Sequence, residues 1–171
     1  MCMTDLKGRV AVVTGASSGI GQAVARKLVG CGTRVVINGR RRERVEGLLQ
    51  ELNHKDGHAV SVIGDASDPE IIETLLKSAE VSFGRPADIF IVNAGRGLGG
   101  SVVTSDIGQW EEVFRTNVEG ALRLMRSAAI SLSAEAAKEK WPGHPRDIVI
   151  LGSVAGRHIS PFSALYGTSK F

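Results

Sequence analysis

The feature that most constrains this chain is a regular exchange of short apolar runs with longer helical patterns. Val10-Ala11-Val12-Val13, Val35-Val36-Ile37, Ala59 to Ile63, Ile89-Phe90-Ile91-Val92 and Ile148-Val149-Ile150-Leu151 read as strands. Between them, apolar residues recur at spacings of three and four. They are Ile20, Val24 and Leu28, then Val45, Leu48, Leu49 and Leu52, then Ile72, Leu75, Leu76, Ala79 and Phe83. A long fourth pattern carries Trp110, Phe114, Val118, Ala121, Leu122, Met125 and Ala129. Such spacing gives each helix one apolar face. Four of the five strands are unbroken apolar runs, as strands covered on both faces must be, while Ser61 makes the third alternate and suits a sheet edge. The order predicts an α/β fold, a doubly wound parallel sheet with helices on both faces.

Local signals mark the ends of these elements. Gly30-Cys31-Gly32 stops the first helix, because glycine enters the left-handed region freely. Ser67-Asp68-Pro69-Glu70 joins a capping box to a proline in the first turn. A polar stretch from Ala136 to Arg146 precedes the fifth strand. With no internal repeat or linker, residues 1–171 read as one Rossmann-type domain. At 43% hydrophobic and 23% charged residues the composition excludes a disordered or fibrous chain.

The excess of 21 Lys and Arg over 18 Asp and Glu is too small and too scattered to point to nucleic acid. No apolar run approaches the roughly 18 residues of a membrane span, so no membrane partner is expected. Met1 to Gly8 lacks the basic-then-apolar order of a signal peptide. Cys2 and Cys31 alone make neither a disulfide framework nor a metal site. A cytoplasmic location is the expectation.

In open α/β sheets ligands bind beyond the carboxyl ends of the strands. After the first strand stands Thr14-Gly15-Ala16-Ser17-Ser18-Gly19-Ile20-Gly21. Its glycines admit a close pyrophosphate, and the following helix offers unpaired N–H groups to an anion. The spacing Gly-x-x-x-Gly-x-Gly departs from the common dinucleotide fingerprint. Gly15-Ala16-Ser17-Ser18-Gly19 also fits a hydrolase nucleophile elbow. Against that reading, His54, His58, His144 and His158 are poorly placed as bases, and an elbow normally follows several strands rather than the first.

After the second strand comes Asn38-Gly39-Arg40-Arg41-Arg42-Glu43-Arg44, where an NAD-binding domain wants an acid for the ribose 2′-hydroxyl. Arginines at a helix start oppose the helix dipole unless an anion joins them. Arg40, with Arg41, therefore reads as a clamp for the 2′-phosphate of NADP(H), favoured over NAD(H). The plainer reading is a solvated basic helix start. Asp65-Ala66 follows the third strand, Asn93-Ala94-Gly95 the fourth and Ser153 the fifth. Tyr166-Gly167-Thr168-Ser169-Lys170 sets a phenol and an ammonium on one helix face, where the ammonium favours phenolate.

Together these residues resemble the short-chain dehydrogenases/reductases, in motif order and spacing, from the first strand to the last residue. Gly15, Ser17, Ser18, Gly19, Ile20 and Gly21 match the family's cofactor loop, Asp65 and Ala66 its adenine contact, and Asn93, Ala94 and Gly95 its motif after the fourth strand. Asn117, Ser153, Tyr166 and Lys170 match its catalytic tetrad. Asn117 is also a weak helix former inside a helical pattern, which needs a reason. Val92 stands where the family usually has a further Asn.

The resemblance implies an NADP(H)-dependent oxidoreductase acting on a small-molecule alcohol/carbonyl pair. Tyr166 would exchange a proton with the substrate oxygen while hydride moves to or from C4 of nicotinamide. Ser153 would bond that oxygen, Lys170 would hold the ribose and tune Tyr166, and Asn117 would support a proton relay. Tyr166 and Lys170 thus also count as cofactor contacts, and the full-length form would be a homo-oligomer. Family members continue past the catalytic Lys, through the rest of that helix and two further strands. The chain is therefore expected to be incomplete at its C-terminus, with an apolar fifth strand exposed as a sheet edge. The alternative is a catalytically silent fragment that binds a dinucleotide. Arg96, Leu98, His158 and Phe162 are the candidate substrate-pocket positions, and each equally suits ordinary loop surface.

Overall fold

The computed structural model describes residues 6–54, 58–138, 145–158 and 160–170. Five strands form one parallel sheet in the order β3-β2-β1-β4-β5. They are β1 (Val10–Val13), β2 (Arg34–Gly39), β3 (Ala59–Ile63), β4 (Ile89–Val92) and β5 (Asp147–Ile150). β1 is central, pairing Val12 with Val36 on one side and with Phe90 on the other. All four residues of β1 and all four of β4 are buried, as strands covered on both faces are, but the equally unbroken run of β5 is not, with Val149 and Ile150 exposed. β3 is an edge strand, as its alternation required. β5 is the other edge.

The helices are α1 (Gly19–Gly30), α2 (Arg42–Asn53), α3 (Pro69–Phe83), α4 (Trp110–Phe114), α5 (Ala121–Lys138) and α6 (Ala164–Lys170). Two cores lie on opposite faces of the sheet. One gathers Val12, Val36, Leu75, Phe90 and Leu124 with α3 and α5. The other gathers Val13, Ile37, Ala25, Leu28 and Leu48 with α1 and α2. This is a Rossmann-type, doubly wound sheet.

The structure departs from the sequence expectations at several places. The fourth helical pattern is not one α-helix: Arg115–Gly120 between α4 and α5 is a π-helical turn. Such turns often sit at functional sites, and this one carries Asn117. The cap of α3 is Asp68 rather than Ser67, with Asp68 Oδ1 accepting from Glu70 N at 2.9 Å. Ser67 instead donates to Asp65. Ile20, placed by its spacing on the buried face of α1, is 62% exposed. Cys31, expected as a separate thiol, is disulfide-bonded. No helix among the described residues is long and apolar enough to cross a membrane.

A buried ion cluster closes the amino ends of the strands. Arg9 reaches Asp88 Oδ1 at 3.3 Å, the Pro145 carbonyl at 2.8 Å and Asp147 at 2.8 Å. Arg85 meets the other Asp88 oxygen at 3.0 Å. One guanidinium thus ties β1, β4 and the entry to β5, and frees their opposite ends to hold a site.

Candidate active site

At the carboxyl ends of β1 to β4 opens a cleft of about 370 Å³. Its walls come from the turn after each strand: Gly15, Ser17, Ser18 and Ile20; Asn38 to Arg41; Gly64 to Ala66; Asn93 to Gly95. The turn after β1 is shaped by close approach. Gly15 has φ +66°, and a Cβ there would lie 2.8 Å from Asn93 Nδ2 and 2.9 Å from Ala94 Cα. A Cβ at Gly21 would lie 2.5 Å from the Gly15 carbonyl oxygen. No side chain fits at either position. Gly19 and Gly21 shape this turn without lining the cleft.

Thr14 and Asn93 lock this wall. Thr14 Oγ1 donates to the Ile91 carbonyl and accepts from the N–H groups of Asn93 and Ala94, at 3.1–3.2 Å. Asn93 Nδ2 donates to the Thr14 carbonyl at 2.8 Å and the Gly15 carbonyl at 3.3 Å. The chain after β4 is thereby fixed to the chain after β1.

The far wall is charged. Arg41 Nη2 donates to Ser17 Oγ at 3.0 Å and Ser18 Oγ at 2.7 Å, so it lies over the glycine turn. Arg40 Nη1 instead donates to Glu112 at 3.0 Å. Arg115 pairs with Asp65 at 3.1 Å. Burial works to raise the Asp65 pKa, but bonds from the Ser67 N–H and hydroxyl and the charges of Arg115 and Arg40 outweigh it. The carboxyl is held below its ordinary value.

Four lining residues carried no site prediction from the sequence: Asn38, Gly39, Gly64 and Thr116. Thr116 Oγ1 is the buried side-chain polar atom without a hydrogen-bond partner among the described residues. A buried hydroxyl left unpaired is disfavoured, and this one borders a cleft, so a ligand group is a natural partner. A Cβ at Gly39 would lie 2.9 Å from both Ser17 Cβ and Val45 Cγ2. The residue before the clamp is therefore also tight.

Beyond Gly95, Asn117 and Lys170 come close together, while Ser153 and Tyr166 stand on neighbouring elements. Asn117 Oδ1 accepts from the Arg96 N–H at 2.7 Å, and its Nδ2 donates to the Arg96 carbonyl and to Ser169 Oγ, both at 2.8 Å. Ser169 Oγ in turn donates to the Tyr166 carbonyl at 2.8 Å. Lys170 Nζ lies 3.4 Å from the Leu151 carbonyl. A Cβ at Gly95 would meet Lys170 Nζ at 3.3 Å and Asn117 Oδ1 at 3.5 Å. Ser153 caps the short 3-10 turn Val154–Gly156, accepting from the Ala155 N–H at 3.2 Å. That turn packs on α6, which carries half-buried Tyr166.

The four candidate substrate-pocket positions differ in their surroundings. Arg96 pairs with Gln109 and Glu112, Leu98 is half-buried in the loop after β4, and His158 and Phe162 are exposed. The elbow reading fails on geometry: Ser17 faces a guanidinium, which cannot accept its proton. Of the histidines weighed as its base, His144 lies outside the described residues.

A parallel sheet of this order, a glycine turn after its first strand and a Tyr-x-x-x-Lys helix beside the fifth define a Rossmann-type oxidoreductase class. The family model for short chain dehydrogenase matches residues 9–171. An uncharacterized oxidoreductase of Staphylococcus epidermidis is 33% identical over 168 residues, 98% of this chain and 68% of that protein. Glycine betaine reductase of Emericella nidulans is 34% identical over 166 residues, 97% of this chain and 12% of that protein. A short chain dehydrogenase/reductase from Burkholderia phymatum, in complex with NAD, is similar with TM-score 0.88 and 29% identity, over 98% of this chain and 57% of that one. NAD+-bound xylitol dehydrogenase is similar with TM-score 0.86 and 28% identity, over 98% and 61%. The chain belongs to the short-chain dehydrogenase family. It spans 57 to 61% of the length of these two solved structures.

Proposed function

We propose that the protein is an NADP(H)-dependent oxidoreductase interconverting an alcohol and a carbonyl on a small molecule. The observation that carries this reading is the meeting of Lys170 Nζ and Asn117 Oδ1 around Gly95, which itself lines the cleft. A cofactor bound in that cleft would run toward those two groups. The residues present fit such a cofactor: the turn from Gly15 to Gly21 excludes side chains where a pyrophosphate would come close, and Thr116 Oγ1 wants a partner.

In this reading Ser17, Ser18 and Gly19 cradle phosphates, Ile20 and Gly21 open α1 behind them, and Asp65 and Ala66 border the adenosine. Arg41 and Arg40 meet the 2′-phosphate, Asn93, Ala94 and Gly95 line the middle of the cofactor, and Lys170 holds its ribose. NADPH supplies hydride when bound. Tyr166 gives its phenol proton to the substrate oxygen, Ser153 bonds the same oxygen, and Asn117 anchors the water through which the proton is replaced. The two similar structures above hold NAD, so the preference for NADP(H) rests on this chain's own arginines.

The test is a turnover assay with NADPH over a panel of ketones, beside a fluorescence titration of NADPH. Tyr166→Phe should lower turnover by about 10²–10⁴-fold and leave NADPH affinity unchanged. Retained turnover overturns the assignment. A second reading, a dinucleotide-binding chain without turnover, draws on the exposed β5 edge, where Ile150 is 55% exposed. NADPH binding with no turnover by the unaltered chain supports it.

A further inference from the structure

The two arginines of the clamp are held by different partners. Among the described residues Arg41 donates to the neutral hydroxyls of Ser17 and Ser18, which a phosphate oxygen can replace with gain. Arg40 is held by an anion, the Glu112 carboxylate of α4, at 3.0 Å. Glu112 also pairs with Arg96, which follows Gly95, and Arg96 is braced by Gln109 at 2.5 Å. Glu112 is thus fixed from behind by Arg96 while it reaches forward to Arg40. Its side chain is 33% exposed and that of Arg40 is 53% exposed, so the pair is wet enough to break and reform.

We propose that Glu112 is a specificity-determining residue that competes with a 2′-phosphate for Arg40 and so weakens the cleft's preference for NADP(H) over NAD(H). This rests on the dinucleotide reading above. A phosphorylated ribose takes Arg41 first and must then draw Arg40 from Glu112, whereas a ribose bearing a free 2′-hydroxyl leaves the Arg40–Glu112 pair in place. The discount therefore falls on one cofactor only. Arg96 keeps Glu112 charge-paired once Arg40 leaves, which lets the exchange proceed without stranding a carboxylate.

The experiment is a double-mutant cycle of Glu112→Gln and Arg40→Ala in the full chain, with dissociation constants for NADPH and NADH at one ionic strength. Glu112→Gln should tighten NADPH by about threefold to tenfold and leave NADH within about twofold. Arg40→Ala should cost little NADPH affinity alone and should remove the whole gain when combined with Glu112→Gln. Glu112→Ala serves as a second variant and must behave as Glu112→Gln does, with circular dichroism as the folding check. A gain that persists without Arg40 overturns the inference, because the carboxylate would then act by direct repulsion. Equal shifts for NADPH and NADH also overturn it, while leaving the dinucleotide reading intact. Binding of neither nucleotide overturns that reading, and the inference with it.

Discussion

The cleft beyond β1 to β4 and the Ser153–Lys170 flank occupy two parts of one sheet and are held in different ways. Three of the strands under the cleft, β1, β2 and β4, have a strand on both sides and a buried interior, and only its Gly64–Ala66 wall follows an edge strand, β3. Thr14 and Asn93 then tie its turns together. The flank stands on β5, which has one strand neighbour and exposes Val149 by 46% and Ile150 by 55%. Binding surfaces built on doubly supported strands hold their geometry, whereas a flank on one edge opens at low free energy. Among the described residues the turns around the cleft are therefore tied down more firmly than the Ser153–Lys170 flank.

The comparison breaks most visibly at Gly21. Gly21→Val forces atoms against the Gly15 carbonyl, which a Cβ would already approach to 2.5 Å. Overpacking of this kind costs about 1–3 kcal/mol, and here it also moves the backbone of the phosphate turn. NADPH binding should fall by 100-fold or more, on the order of 3 kcal/mol, as read by titration. Near-normal binding would show that the turn is looser than its contacts imply.

Arg9 offers the next largest effect, because it bridges the two halves from below. Arg9→Ala leaves Asp88 buried with only Arg85 as a charged partner. Breaking a buried pair costs about 3–5 kcal/mol, and the remaining Arg85 contact places this loss at the lower end. Native-state hydrogen exchange should show Asp147–Ile150 amides opening first and Val35–Ile37 amides retaining most of their protection. Equal loss in both strands would mean that the halves form one cooperative unit.

The strands were legible because their signal is local. An unbroken Val/Ile run between turns identifies a strand, and Ser61 marked β3 as an edge, but the equally unbroken run of β5 did not separate an edge from a covered strand. The cleft was legible for the same reason, since each wall is a short turn after a strand. Other features were hidden. The spacing of Phe114, Val118 and Ala121 continues through Arg115–Gly120, so the π turn leaves no periodic trace, and only Asn117 as a weak helix former hinted at it. The Arg40–Glu112 pair joins residues 72 apart in sequence, a distance over which charge patterning carries no information. Thr116 was invisible because its importance lies in a missing partner. The acid replacement that the missing carboxylate suggests at Gly39 meets Ser17 and Val45, so cofactor preference is better tested at Arg41 and Glu112.

The smallest expected effect concerns acid, and it sharpens the comparison within the cleft. The folded-state pKa of Asp65 is depressed despite the opposing effect of burial, through Ser67 and the charges of Arg115 and Arg40. A depressed carboxyl contributes stability that is present above its ordinary pKa, near 4, and is lost as pH falls through the folded value. Asp65→Asn keeps an oxygen for the Ser67 N–H but gives up the charge that pairs with Arg115. Because Arg115 is 52% exposed, the pair is screened, and the variant should lose at most about 1 kcal/mol at pH 7. As pH falls through the depressed folded value the wild-type carboxyl becomes protonated and the two proteins should converge. Urea unfolding of both at a series of pH values from 7 downward measures the difference directly. A gap that stays constant across that range would assign the role of Asp65 to shape rather than charge, because an amide and a protonated acid place nearly the same atoms beside Ser67.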